Sequence, residues 1–235
     1  MKTEIITEIR KKTMDKNPLI HCITNPISIN QCANGVLGVG ARPMMAEHPL
    51  EVAEITRAAD ALVLNIANIT DARMQSIKIS AKTAQNNNIP FIIDAVGISG
   101  SQLRRDFING FLKEFSPTAI KGNYSEIYAL YNEQYISAGV DADSALKLEN
   151  INEVAVLLAH KYNTIILASG KTDIVTDGKT VVPMVSSMDH KRALDGDKGL
   201  NTGGMGTIAP NPYYTEAIAA ECMEKIFLPT IDAMN

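Results

Sequence analysis

Apolar and polar positions along this chain fall into blocks that fit strands and helices in turn. Residues 3–14 are polar on most sides and predict a surface helix. Leu19–Thr24 is a short apolar run that predicts a strand. Pro26–Val39 carries Ile27, Ile29, Cys32, Val36 and Leu37 on a partly apolar face, as a helix would. Proline suits its first turn, where the missing N–H has no intrahelical partner, and Gly38 and Gly40 end it. His48–Ala58 predicts a further helix. Then come Ala61–Asn65 (strand), Asp71–Asn86 (helix), Pro90–Asp94 (strand), Ser101–Phe115 (helix), Thr118–Lys121 (strand), Ser125–Tyr131 and Asn152–Tyr162 (helices) and Thr164–Ala168 (strand).

Such regular alternation predicts an α/β fold, a mostly parallel sheet with helices on both faces. Ligands of such sheets bind beyond the carboxyl ends of the strands. The order changes after Thr172. Asp173–Thr176 and Thr180–Val185 predict a hairpin around Asp177-Gly178. Residues 189–212 predict a glycine-rich, charged loop, and Thr215–Phe227 a last helix.

Composition narrows the function classes. The 235 residues suffice for one large or two modest domains, and 46% hydrophobic with 20% charged residues is ordinary for a globular protein. A net charge of −4 without a basic stripe argues against nucleic-acid binding. No apolar run reaches membrane-spanning length, and Met1–Pro18 has no signal-peptide core, which predicts a cytoplasmic protein away from membranes. Cys22, Cys32 and Cys222 lack metal-ligand spacing and read as reduced, buried thiols.

The polar residues at strand ends carry the candidate chemistry. Asn25 reads as a turn or cap residue, or as a ligand of the crevice. Asp94 sits where the crevice of a parallel sheet exposes a side chain, or in a plain turn. In Lys121-Gly122-Asn123-Tyr124-Ser125-Glu126, Asn123 and Glu126 have the spacing of a capping box. Alternatively, Glu126 helps to organise a hydrated Mg²⁺, an ion that takes few protein carboxylates. Ser169-Gly170 reads as a turn or as a contact to a nucleotide phosphate.

Taken together, the strings His21–Asn25, Ala33-Asn34-Gly35, Gly40–Ala46, Leu62–Ile66, Asp94-Ala95-Val96-Gly97 and Lys121–Ile127 resemble hydroxyethylthiazole kinase, a ribokinase-like family. The resemblance runs over about residues 5–180, in order and in spacing. It implies phosphorylation of the alcohol of 4-methyl-5-(2-hydroxyethyl)thiazole by ATP with Mg²⁺ in thiamine salvage, by a homotrimer with the thiazole site at its interfaces. Matched motif by motif, Met45 would contact the thiazole, with Asn25 beside it. Lys121 and Ser169 would contact ATP. Asp94 and Glu126 would lie near the metal and phosphates. Lys121 stands where the family usually has arginine, Ala95 where it usually has proline and Ala67 where glycine is frequent.

Downstream the pattern departs from that family. Its Gly-Thr-Gly-Cys loop, which supplies amides for developing charge and a cysteine in the general-base position, has no counterpart, so the catalytic residue is unassigned. Thr202-Gly203-Gly204-Met205-Gly206 lacks the cysteine, and Pro210 and Pro212 disfavour a helix after it. From about Val181, the strings Pro183-Met184-Val185, Asp189–Arg192, Asp195–Gly199 and Asn201–Gly206 resemble phosphoribosylamine–glycine ligase, an ATP-grasp enzyme of purine synthesis. The expectation is therefore a truncated ribokinase-like domain over residues 1–180 with a foreign ATP-grasp fragment appended over 181–235, joined near Thr176–Val181. Turnover would be impaired. The alternatives are an inactive chimera that keeps part of the thiazole and nucleotide site, and a fragment of the ligase.

Overall fold

The computed structural model describes residues 2–135, 148–170 and 172–183, and the short segments 188–189, 192–194, 198–201 and 207–208. It divides into two compact units, Met1–Pro183 and Met184–Asn235.

The first unit alternates as the sequence pattern predicts. Its elements are α1 (Lys2–Lys16), β1 (Leu19–Ile23), α2 (Ile29–Gly38), β2 (Arg42–Met44), α3 (Val52–Ala58), β3 (Ala61–Asn65), α4 (Asp71–Asn86), β4 (Phe91–Asp94), α5 (Gln102–Glu114), β5 (Ala119–Asn123), α6 (Tyr124–Tyr131), α7 (Leu148–Tyr162), β6 (Ile165–Ser169), β7 (Ile174–Thr176) and β8 (Val181–Pro183). Eight strands form one sheet in the order β2-β1-β3-β4-β5-β6-β7-β8. The pairs from β2 to β6 are parallel, and β6–β7 and β7–β8 are antiparallel. Strand order reverses between β1 and β3, so the crevice that binds ligands in such sheets opens at their carboxyl ends.

One face of the sheet is fully closed. Leu62, Leu64, Ile93, Ile120, Ile166 and Ala168 are buried there. Phe111 of α5 is completely buried, edge-on to Phe91 and against Phe107 and Phe115. Each leucine, isoleucine or phenylalanine among them contributes roughly 1.5–3 kcal/mol over its exposed state. The alternate positions are less covered. Ile92 and Ile165, level with each other across β5, are 40% and 39% exposed.

Three local differences from the sequence expectation have physical causes. Helix α2 begins at Ile29 rather than Pro26, because Asn25 Oδ1 accepts from the N–H groups of Ile27 and Ser28 and folds those residues into a turn. Helix α3 begins at Val52 rather than His48, because Pro49 disfavours helical backbone at the residue before it. Strand β2 forms although its segment contains Pro43 and carries no strand pattern; it is tolerated because β2 is the sheet edge. The hairpin forms as read, with Thr176 opposite Val181 and Asp177 Oδ1 accepting from the N–H groups of Lys179 and Thr180.

In the second unit, β9 (Met188–Asp189) pairs antiparallel with β12 (Thr207–Ile208), and β10 (Arg192–Leu194) with β11 (Lys198–Asn201). Short strands thus occupy part of what reads as a loop. The helix expected over Thr215–Phe227, the string Thr202–Gly206 and Cys222 lie outside the described residues.

Candidate functional site

The sheet register puts three residues near strand ends, Asn65, Asp94 and Lys121, on one level, with Asn123 and Ser169 level with each other two residues further along. Asn65 pairs with Asp94, Asp94 with Lys121, and Asn123 with Ser169. Polar side chains therefore line the carboxyl ends of β3, β4, β5 and β6.

Asp94 is the centre of this row. Lys121 Nζ lies 3.3 and 3.2 Å from its two carboxylate oxygens, and Asn65 Nδ2 donates to Oδ2 at 3.1 Å. Burial pushes the Asp94 carboxyl above the ordinary range, against the opposing pull of Lys121 and Asn65. The result is a half-buried anion and cation side by side at the mouth of the crevice. In the sequence Asn65 is a strand end and a member of the Leu62–Ile66 string without a role; its proximity to Asp94 follows from the parallel register.

Glu126 fulfils the capping-box spacing. Asn123 Oδ1 accepts from Glu126 N–H at 2.9 Å, and Glu126 Oε2 accepts from Asn123 N–H at 2.6 Å. Its other oxygen accepts from Gly97 N–H at 2.7 Å. The carboxylate thus ties the start of α6 to the loop after β4. Burial pushes the Glu126 carboxyl upward, against these two N–H donors, and nearby Asp94 pushes it further. The Gly97 position favours glycine because its φ is +77°, a backbone conformation that residues with a side chain rarely adopt.

The same loop is held from its other side by Arg105, which is 3% exposed. Its guanidinium donates to the carbonyls of Ile98, Ser99, Glu133 and Tyr135. An amphipathic pattern assigns an arginine in a helix to the solvent face, so no sequence signal marked this role.

Ser169 ends β6 with its hydroxyl donating to Gly122 carbonyl at 3.4 Å. Met45 and Asn25 lie elsewhere on the same edge of the sheet, just after β2 and β1. Asn25 makes the turn described above, and Met45 is half-buried. The backbone beside Met45 is pinned by completely buried His21, whose Nε2 and Nδ1 lie 2.9 Å from the Ala46 carbonyl and the Thr56 hydroxyl. A carbonyl only accepts, so Nε2 carries the proton and bare Nδ1 accepts from Thr56. Arg73 and Ser76 add to this anchor, the first donating to the Glu47 carboxylate and to Ala67 and Asn68 carbonyls, the second to Glu47 carbonyl.

Burial lowers the His21 pKa. An unfolded histidine takes up a proton near pH ~6.5 while the folded one resists, so the unfolded state binds more protons and stability falls as pH drops below that value. The slope is at most about 1.4 kcal/mol per pH unit. Urea unfolding at several pH values between 5 and 7.5 should show this loss in the wild type and a shallower dependence in His21→Gln. Equal slopes in the two proteins would rule out His21 as its source.

Among the described residues, no group of three or more His, Cys, Asp or Glu side chains is arranged to hold a metal ion. A hydrated Mg²⁺ keeps several waters and takes one or two carboxylates; of the two expected here, Asp94 lies at the crevice mouth, while both Glu126 oxygens accept main-chain N–H groups. Cys22 is buried, Cys32 half-buried, and both are free thiols, with burial pushing Cys22 up to about 11. No described helix is long and apolar enough to cross a membrane.

A model of the hydroxyethylthiazole kinase family matches residues 10–223. The chain is 48% identical over 177 residues to "Hydroxyethylthiazole kinase 2" of Clostridium botulinum strain Langeland, covering 73% of this chain and 66% of that one. It is 41% identical over 202 residues to "Hydroxyethylthiazole kinase 1" of Clostridium botulinum strain Loch Maree, covering 83% and 76%. Against the solved hydroxyethylthiazole kinase protein of Pyrococcus horikoshii the TM-score is 0.68 at 29% identity, covering 76% of this chain and 65% of that one. The chain thus spans just under two thirds of the Langeland relative and of the Pyrococcus structure.

Proposed function

This chain belongs to the hydroxyethylthiazole kinase family, and from that membership we propose that it binds hydroxyethylthiazole and Mg-ATP and transfers a phosphoryl group to the thiazole alcohol, at a reduced rate. The observation that carries the proposal is the level row of Asn65, Asp94 and Lys121, with Ser169 beyond Asn123, at the carboxyl ends of a parallel sheet. When bound, Mg-ATP supplies the phosphoryl group. Lys121 offers a cation to phosphate oxygens, as a point charge rather than arginine's planar fork. Asp94 and Glu126 would face the hydrated ion. Asn65 and Lys121 hold Asp94 in one orientation. Met45 and Asn25 would take the thiazole at the β1–β2 edge. The reduced rate follows from the Thr202–Gly206 string, which offers no cysteine as proton acceptor.

Assembly as a homotrimer and a cytoplasmic setting belong to the same proposal. The apolar surface supports the first: α2 has no buried residues, and Ile27 and Leu37 are 79% and 55% exposed. A second reading takes residues 181–235 as a phosphoribosylamine–glycine ligase segment joined to a kinase part over 1–180. It is supported by the motif string and by the division of the chain at Pro183, and opposed by the family match through residue 223.

Calorimetric titration separates the two half-sites. Lys121→Ala should weaken ATP binding about tenfold, the equivalent of ~1.4 kcal/mol, and leave thiazole affinity within about twofold. Met45→Ala should do the reverse. Equal weakening of both ligands by either variant, or a wild type that binds neither, would contradict the assignment.

A further inference from the structure

Tyr124 opens α6 directly after β5 and is 5% exposed. Its hydroxyl donates to the carbonyl of Thr172 across the turn that follows β6. Its ring lies against Gly170. A Cβ at that position would sit 2.6 Å from Cε1 and Cζ of the phenol and 2.8 Å from Cδ1, closer than carbon atoms approach without displacement. The turn is closed on itself by Gly170 N–H donating to Asp173 Oδ1 at 3.0 Å. Ser169, the first residue of this turn, is level with Asn123, the residue before Tyr124.

We propose that Tyr124 is a positioning residue for the nucleotide, setting the height of the Ser169–Asp173 turn over the carboxyl end of β5. The ring acts as a spacer on which the Gly170 backbone rests, and the hydroxyl holds the far side of the turn down at Thr172. Glycine at 170 is the complement of tyrosine at 124: a side chain there would lift the turn and carry Ser169 with it. On the other flank the same helix start is fixed by Glu126, so the turn is referred to the same rigid body as Lys121. Two groups meant to meet one polyphosphate are thereby held in a constant relation, which lowers the ordering cost of binding it. The proposal rests on the reading of Ser169 as nucleotide-facing.

A double-mutant cycle tests it, with wild type, Gly170→Ala, Tyr124→Ala and the double variant in the full chain. ATP affinity is read by displacement of a fluorescent ATP analogue, and thiazole affinity by calorimetry. Gly170→Ala should weaken ATP about tenfold in the tyrosine background and less than about threefold when Tyr124 is alanine, since the steric conflict is then gone. Tyr124→Phe, which keeps the ring and loses one hydrogen bond, should fall between wild type and Tyr124→Ala. Thiazole affinity should stay unchanged throughout, which a general loss of folding would not allow. Additive effects at the two positions, or parallel losses for both ligands, would overturn the inference and leave the family assignment intact. A wild type that binds thiazole but no nucleotide would overturn the underlying reading of Ser169, and the inference with it.

Discussion

Glu126→Ala should lose about 3–5 kcal/mol of folding stability, a large share of the ~5–15 kcal/mol typical of a domain. The carboxylate is 2% exposed and accepts from two main-chain N–H groups, those of Gly97 and Asn123. Truncation removes the acceptor that both donors share, at about 1–3 kcal/mol for each bond lost, and undoes the reciprocal cap of α6. Burial of an anion is itself costly, and the raised pKa registers that cost. Even so, removing only the acceptor does not restore water to the donors, so breaking the arrangement costs more than the buried charge did. Glu126→Gln keeps one accepting oxygen and turns its amide against the other N–H, so it should fall between the two. Urea midpoints at constant m-value would check this. A Glu126→Ala midpoint matching the wild type would show that the cap and the Gly97 tether are idle.

Much of the architecture was legible in the chain because it depends on local pattern. Ala61–Asn65 and Asp71–Asn86 are an apolar run and an acid-started amphipathic stretch, and each forms with the bounds it suggests. Asp94 and Lys121 were legible for the same reason, since both sit at the ends of such runs. What the pattern did not show are features decided by tertiary neighbours. Strand β2 exists because its proline lies at an edge, which only the assembled sheet defines. Tyr124 read as one member of a capping string, yet its partners Gly170 and Thr172 are more than forty residues away. Arg105 carries no signal in the sequence, although its guanidinium joins two loops. Pairing across the sheet brought Asn65 to Asp94, and no spacing along the chain marks that contact.

The second large effect concerns turnover. Asp94 receives Lys121 and Asn65 and is kept above the ordinary aspartate range by burial. Its replacement by alanine removes the anion proposed to face the phosphates and takes from Lys121 its partner in the row. Phosphoryl transfer is mostly positioning and electrostatic stabilisation, so loss of this group should cost about 100-fold or more in rate. Folding should suffer less than in Glu126→Ala, because the Asp94 side chain is 24% exposed and water can replace it.

The decisive measurement is a single-turnover reaction of the full chain with labelled ATP, Mg²⁺ and hydroxyethylthiazole, run beside Asp94→Ala. The account predicts slow formation of labelled thiazole phosphate by the wild type and at least about 100-fold less by the variant. No product above the Asp94→Ala control would contradict it.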